Sequence, residues 1–224
     1  NDTATTEIYT RLFVGSVANF QKGFANISVP SVLATLVSDK LDFPNLSMVG
    51  VDDRAAAYQA VSYLIQQGHR KIAVLGGPAT SHPSIMRRQG AQQAMEDAGI
   101  RFEDKLYGLS NYDFESAYHA MNGLLARRAE FTALFAMSDV IAFGAIRALV
   151  SAGLRVPEDV SVIGFDGITM SRYCVPVMTT IVQPSEQIAL QSIELLVRQI
   201  EHGTPAQTVT LQPELQQGES VRAI

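Results

Sequence analysis

"FTALFAMSDVIAFGAIRALVSAGLRVPEDVSVIGFDG", Phe131–Gly167, reads as a complete strand–helix–strand unit. Residues 131–139 are apolar at nearly every position until Ser138 and Asp139. Residues 140–152 continue with helical spacing and stop at Gly153, with Pro157 just beyond; glycine takes the left-handed turn that ends a helix, and proline does not continue one. The run 159–166 is apolar again and halts on Phe165, Asp166 and Gly167. Apolar runs that do not alternate suit strands covered on both faces, as in a parallel sheet whose connections are right-handed helical crossovers.

The same grammar extends outward. Strands are expected at 29–36, 46–53 and 71–77, and helices at 54–67 before Gly68, 86–98 before Gly99, about 116–128, and 185–202 before Gly203. The opening "NDTATTEIYTRLF" reads as the end of a loop running into a helix. Alternating strands and helices imply a doubly wound α/β architecture. In such sheets ligands bind beyond the carboxyl ends of the strands.

Composition narrows the function classes. The 224 residues are 47% hydrophobic and 17% charged, enough for one large domain or two smaller ones with real cores. A net charge of -5 does not draw this chain to a phosphate backbone, so contact with nucleic acid calls for a separate basic module. The single cysteine, Cys174, allows no internal disulfide and suits a reducing compartment. No apolar run reaches the roughly 18 residues of a membrane span. The four histidines have no metal-ligand spacing, and the sequence holds no dinucleotide glycine motif, phosphate loop or nucleophile elbow. No catalytic residue, cofactor or metal is therefore expected.

Binding groups, by contrast, sit at loop positions. Asp139 and Asp166 both stand where a strand runs out, and a carboxylate there accepts hydrogen bonds from hydroxyls or amines. Asp139 is equally readable as the cap of the helix starting at Val140. Arg87 and Arg88 precede Gly90, Tyr112 and Phe114 precede a helix, and Gln183 comes after "MTTIV". A charged fork, a flat aromatic face and an amide suit a polar, ring-shaped ligand. Each has a plainer reading: a solvated arginine, a core phenylalanine, a glutamine bonded to backbone.

Four segments in this order resemble the lactose/galactose-repressor family of bacterial transcription regulators: "VGVDDRAAAYQAVSYLIQQGHRKIAVLGGP", "RRQGAQQAMEDAG", the opening 131–167 stretch, and "MTTIVQPSEQIALQSIELL". The resemblance implies two doubly wound parallel-sheet subdomains of periplasmic-binding-protein-like fold, with a ligand cleft between them. Residues 1–53 and 183–207 would form the subdomain nearer DNA, and residues 54–182 and 208–224 the other. It implies a cytoplasmic, sugar-responsive repressor that acts as a homodimer. Operator DNA would be bound through an N-terminal helix-turn-helix not contained in this sequence, and the first subdomain's opening strand–helix–strand is likewise expected outside it.

Carried over by position, the effector-contacting arginine falls on Arg87, the stacking aromatic on Tyr112, and the strand-end pair on Ser138 and Asp139. The carboxylate of the "GFD" turn falls on Asp166, the glutamine beyond it on Gln183, and a contact from the first subdomain near Thr35. Ser138 replaces the family's usual asparagine, Gly167 a common aspartate, and Gly218 an arginine. A periplasmic sugar-binding protein of a transporter is the alternative; a signal peptide upstream would favour it, and a helix-turn-helix would favour the regulator. A nucleotide-dependent sugar transferase fits less well, because the phosphate loop is missing.

Overall fold

The computed structural model describes residues 29–35, 37–38, 43–128 and 130–224. The expected opening helix, position 36 of the first strand and residues 1–28 of the expected first subdomain lie outside the described residues.

Two sheets organise the described residues. The smaller has strands β1 (Ser31–Ala34), β2 (Leu46–Val51) and β8 (Thr208–Leu211), in the order β1-β2-β8 and all parallel. The larger has the order β4-β3-β5-β6-β7-β9, built from β3 (Ile72–Gly76), β4 (Tyr107–Leu109), β5 (Ala133–Ala136), β6 (Ser161–Asp166), β7 (Thr179–Val182) and β9 (Glu214–Gln216). Every pairing in it is parallel except β7 with β9. Among the described residues the chain passes from one sheet to the other three times: from β2 into α1 (Asp53–Gln66), from β7 into α5 (Ser185–His202), and from β8 to β9.

The remaining α-helices among the described residues are α2 (His82–Asp97), α3 (Phe114–Ala126) and α4 (Asp139–Ser151). The expected α/β alternation is thus present, with boundaries shifted by a few residues. α2 begins at His82 instead of 86, because Pro83 occupies its first turn, where a missing N–H costs nothing. Four short strands have no counterpart among the expected ones: Tyr107–Leu109, Thr179–Val182, Thr208–Leu211 and Glu214–Gln216.

β3 and β5 are buried along their whole length, and β6 is buried up to Phe165. Their side chains join Ala57, Val61 and Leu64 of α1, Met95 of α2, and Ile141 and Leu149 of α4 in one continuous core. A second, smaller core forms where Ile188 and Leu195 of α5 meet Val49 of β2. α1 and α2 lie in close contact, and Gly90 is what lets them: a Cβ there would collide with the Arg54 carbonyl oxygen. That approach brings the first turn of α1 beside Arg87 on α2.

The sheet order also fixes where a ligand site falls. From β3 the chain steps to β4 on one side, then returns to β5 on the other. The strand order reverses between β3 and β5, so their carboxyl ends leave an open crevice.

Candidate ligand site at the strand ends

Arg87 is the centre of this region. Its α2 position points it inward, where the residue is 5% exposed. Nε donates to Asp53 Oδ1 at 2.7 Å, and Nη1 donates to the Met137 carbonyl just past β5. The guanidinium carbon lies 3.6 Å from the centroid of the Phe165 ring. Asp166 Oδ1 stands 3.7 Å from Nη1. Burial opposes the guanidinium's charge, but Asp53 and Asp166 outweigh it and hold the group above its ordinary range. Asp53 is free for this because its neighbour Asp52 does the capping, accepting from the N–H groups of Arg54 and Ala55.

Asp166 ends β6 with φ of 109°, in the left-handed half of the map, and Gly167 comes next at 70°. The turn is held by Gln183, whose backbone N–H donates to the Asp166 carbonyl at 3.0 Å and whose Nε2 donates to Oδ1 at 2.8 Å. The Asp166 side chain keeps 27% of its surface exposed. Burial pushes its carboxyl up, against the pull of Arg87 and the Gln183 amide. Gln183 Oε1 is buried and has no hydrogen-bond partner among the described residues. A buried acceptor without a donor costs free energy unless a ligand or water supplies one.

Tyr112, also at positive φ (61°), packs its ring against Gly77 at the end of β3 and places its hydroxyl 2.6 Å from Ser84 Oγ. Thr35 lies exposed just past β1 with φ of 69°, its N–H donating to the Val49 carbonyl at 2.7 Å.

Ser138 and Asp139 are placed in the interior. Ser138 Oγ accepts from the Ile141 N–H at 3.1 Å, so Ser138, and not Asp139, caps α4. Asp139 has no exposed surface. Its Oδ1 accepts from the Thr180 hydroxyl at 2.6 Å and its Oδ2 from the Ile168 N–H at 2.9 Å. Burial lifts its carboxyl to about 6, against the lowering effect of those two bonds.

Of the residues expected at the site, Arg87, Asp166 and Gln183 therefore meet in one cluster, and Tyr112 flanks the same crevice. Thr35 belongs to the other sheet, and Ser138 and Asp139 spend their oxygens inside the protein. Sequence reasoning missed Asp53 as the buried partner of Arg87 and Phe165 as the ring beneath it. The doubled aspartate after β2 was the available signal, since one carboxylate suffices for a cap. No group of three His, Cys, Asp or Glu able to hold a metal ion occurs among the described residues. No helix among them is long and apolar enough to cross a membrane.

These features define a body of doubly wound sheets whose polar groups gather at the strand ends. Residues 61–221 match the family described as a periplasmic binding protein-like domain. The chain is 36% identical over 201 residues to the HTH-type transcriptional regulator MalR of Clostridium butyricum, covering 89% of this chain and 60% of that protein. It is 37% identical over 172 residues to the HTH-type transcriptional repressor CytR of Escherichia coli K12, covering 77% of this chain and 50% of that one. Among solved structures, a sugar-binding LacI-family transcriptional regulator from Escherichia coli, complexed with phosphate, superposes with a TM-score of 0.78 at 30% identity. That alignment covers 97% of this chain and 76% of the other. A LacI-family regulator from Enterococcus faecium with bound ribose gives a TM-score of 0.80 at 25% identity, covering 93% and 76%. The chain belongs to the periplasmic-binding-protein-like family and, within it, groups with the LacI-family regulators. It spans 50 to 60% of the length of those two curated relatives.

Proposed function

We propose that this chain is the effector-binding and dimerisation core of a bacterial transcriptional repressor. It holds a small polyhydroxylated molecule, a sugar or sugar derivative, and releases it unchanged. The observation that carries this reading is the Arg87–Asp166–Gln183 cluster at the carboxyl ends of β6 and β7 in the larger sheet. It combines a guanidinium, a partly exposed carboxylate and a buried carbonyl oxygen in want of a donor. Adjacent ring hydroxyls supply the donors that Asp166 and Gln183 accept. Tyr112 offers the flat face, and Thr35 contributes from the smaller sheet. The names of the relatives support the regulatory reading over a transporter's binding protein.

Operator DNA is bound through a helix-turn-helix of the whole protein, in the cytoplasm. This chain's negative charge leaves that task to another segment. A second copy docks on the loop after β6, where Met170, Tyr173 and Val175 are 59%, 77% and 94% exposed; apolar patches of this kind mark interaction sites. The ligand regulates by binding one arrangement of the two sheets more tightly than another, since equal affinity shifts nothing. A coupling of about 1–3 kcal/mol changes operator affinity roughly 5- to 150-fold. Calorimetric titration against sugars and nucleosides is the test, with Asp166→Asn as the control. Saturable binding that weakens at least roughly tenfold in the variant is expected. Turnover of the ligand, or binding indifferent to Asp166, contradicts the reading. Sedimentation of Tyr173→Asp against the unaltered chain tests the dimer, which the substitution is expected to dissociate.

A further inference from the structure

Asp139 makes no contact that a ligand can share, yet its carboxylate gathers four parts of the larger sheet. It belongs to the first turn of α4 and accepts from Thr180 on β7 and from the Ile168 N–H in the turn after β6. It also lies against β6 at Gly164, where a Cβ would collide with Oδ1. The room for this carboxylate is therefore made by a glycine in the middle of an otherwise fully side-chained strand.

What Asp139 holds is the peptide joining two functional surfaces. On one side of Ile168, two residues away, is the cleft carboxylate Asp166, in its left-handed conformation. On the other side the Ile168 carbonyl accepts from both the Ser171 N–H at 2.9 Å and the Ser171 hydroxyl at 2.7 Å. Ser171 is fully buried, and its own carbonyl accepts from the Met178 N–H at 2.9 Å. This hydrogen-bonded core carries the exposed Met170, Tyr173 and Val175.

We propose that Asp139 is a positioning residue that fixes the Ile168 peptide, so that the cleft carboxylate Asp166 and the exposed 169–175 loop move as one unit. The proposal rests on the ligand reading of Asp166 and adds to it the route by which occupancy of the cleft reaches the apolar loop. Contiguous hydrogen bonds with a common anchor are a physical path for such coupling, and a double-mutant cycle measures it.

The experiment is amide hydrogen exchange on the chain, reading Ile168 and Ser171 in four forms: unaltered, Asp166→Asn, Asp139→Ala, and the double variant. Loss of a hydrogen bond to a charged acceptor speeds exchange at Ile168 by roughly tenfold or more in Asp139→Ala. Asp166→Asn alters Ser171 protection at least roughly threefold when Asp139 is present and not when it is alanine, the non-additivity expected of coupled residues. Asp139→Asn separates anchoring from mere filling of space. Its amide oxygen accepts from Ile168 and its NH2 donates to Thr180, so protection is restored, but without a proton to lose. In the unaltered chain, exchange corrected for intrinsic rate changes across the Asp139 titration; in Asp139→Asn it does not. The titratable groups facing this carboxylate are Asp166 on β6 and Cys174 in the loop. Asp166→Asn and Cys174→Ser must therefore leave that pH step in place. Should Asp139→Ala fail to fold, Thr180→Val removes one anchor of the carboxylate and is expected to speed Ile168 exchange in the same direction. Equal effects of Asp166→Asn in both backgrounds, or unchanged exchange at Ile168, overturns the proposal. A D-ribose titration reads the ligand function separately: affinity lost in Asp166→Asn with no coupling at Ser171 sinks the link and leaves the binding site standing.

Discussion

The carboxyl ends of β5 and β6 carry the same sequence device, an apolar strand that stops near an aspartate, and the protein uses the two oppositely. After β5 the chain turns directly into α4. Ser138 takes the cap, and Asp139 is buried against β6 and β7 with both oxygens engaged by Thr180 and Ile168. After β6 the chain bends through Asp166 and Gly167 at positive φ, and the carboxylate stays partly open beside Arg87. The element just beyond the aspartate, a helix or a glycine turn, decides whether the carboxylate becomes an internal brace or stays partly exposed.

The sharpest way to break this contrast is through Arg87, which stands between a sealed carboxylate and an open one. Asp53→Ala leaves the buried guanidinium with Asp166, 3.7 Å from Nη1, as its remaining carboxylate, and is expected to cost about 3–5 kcal/mol in urea unfolding. A loss below about 1 kcal/mol would mean that Asp166 closes on Arg87 and that the two carboxylates are interchangeable. Asp139→Ala comes next. It strands the Ile168 N–H and the Thr180 hydroxyl and is expected to cost about 1–3 kcal/mol.

The pH dependence of stability distinguishes the two ends more finely. The Asp139 carboxyl titrates at about 6 in the folded protein against 3.8 for an ordinary aspartate. Folding therefore favours its neutral form. The stability it contributes is full below about 3.8 and is lost as pH rises through 6. From this group alone the protein is about 1–1.5 kcal/mol more stable at pH 5 than at pH 8. Asp139→Asn, compared by urea unfolding at the two pH values, removes that increment.

Asp166→Asn gives the smallest change in stability, within about 1 kcal/mol, since asparagine tolerates the left-handed backbone and its side chain still meets Gln183. A thermal melt that dropped as far as that of Asp139→Ala would place both carboxylates in the same structural class.

The sequence revealed the body of the larger sheet and hid its margins, for a physical reason. Strands at 72–76, 133–136 and 161–166 are buried on both faces and so are written as unbroken apolar runs. β4 and β9 are the larger sheet's edge strands of three residues, and β8, at the edge of the smaller sheet, alternates as "TVTL" with one side exposed, so none carries such a run. In the cluster, Asp166 and Gln183 were legible as groups just where strands run out, whereas Arg87 and Arg88 both precede Gly90 and only the family resemblance singled out Arg87. The Arg87–Asp53 pair spans 34 residues of chain and depends on how α1 leans on α2 over Gly90, which no local pattern records. Asp139 was visible as a strand-end acid, but its burial depends on Gly164 and Thr180, on two strands that sequence order alone does not lay beside it.

Of the two strand-end acids, Asp166 alone keeps side-chain surface exposed, and the ligand reading proposed for the cleft depends on that difference. The direct measurement is isothermal titration of the unaltered chain, Asp166→Asn and Asp139→Asn with D-ribose, cellobiose and a panel of nucleosides. At least one compound is expected to bind saturably. Its affinity should fall roughly tenfold or more in Asp166→Asn and stay within roughly threefold in Asp139→Asn. Binding that ignores Asp166, or that needs the Asp139 charge as much, would contradict it.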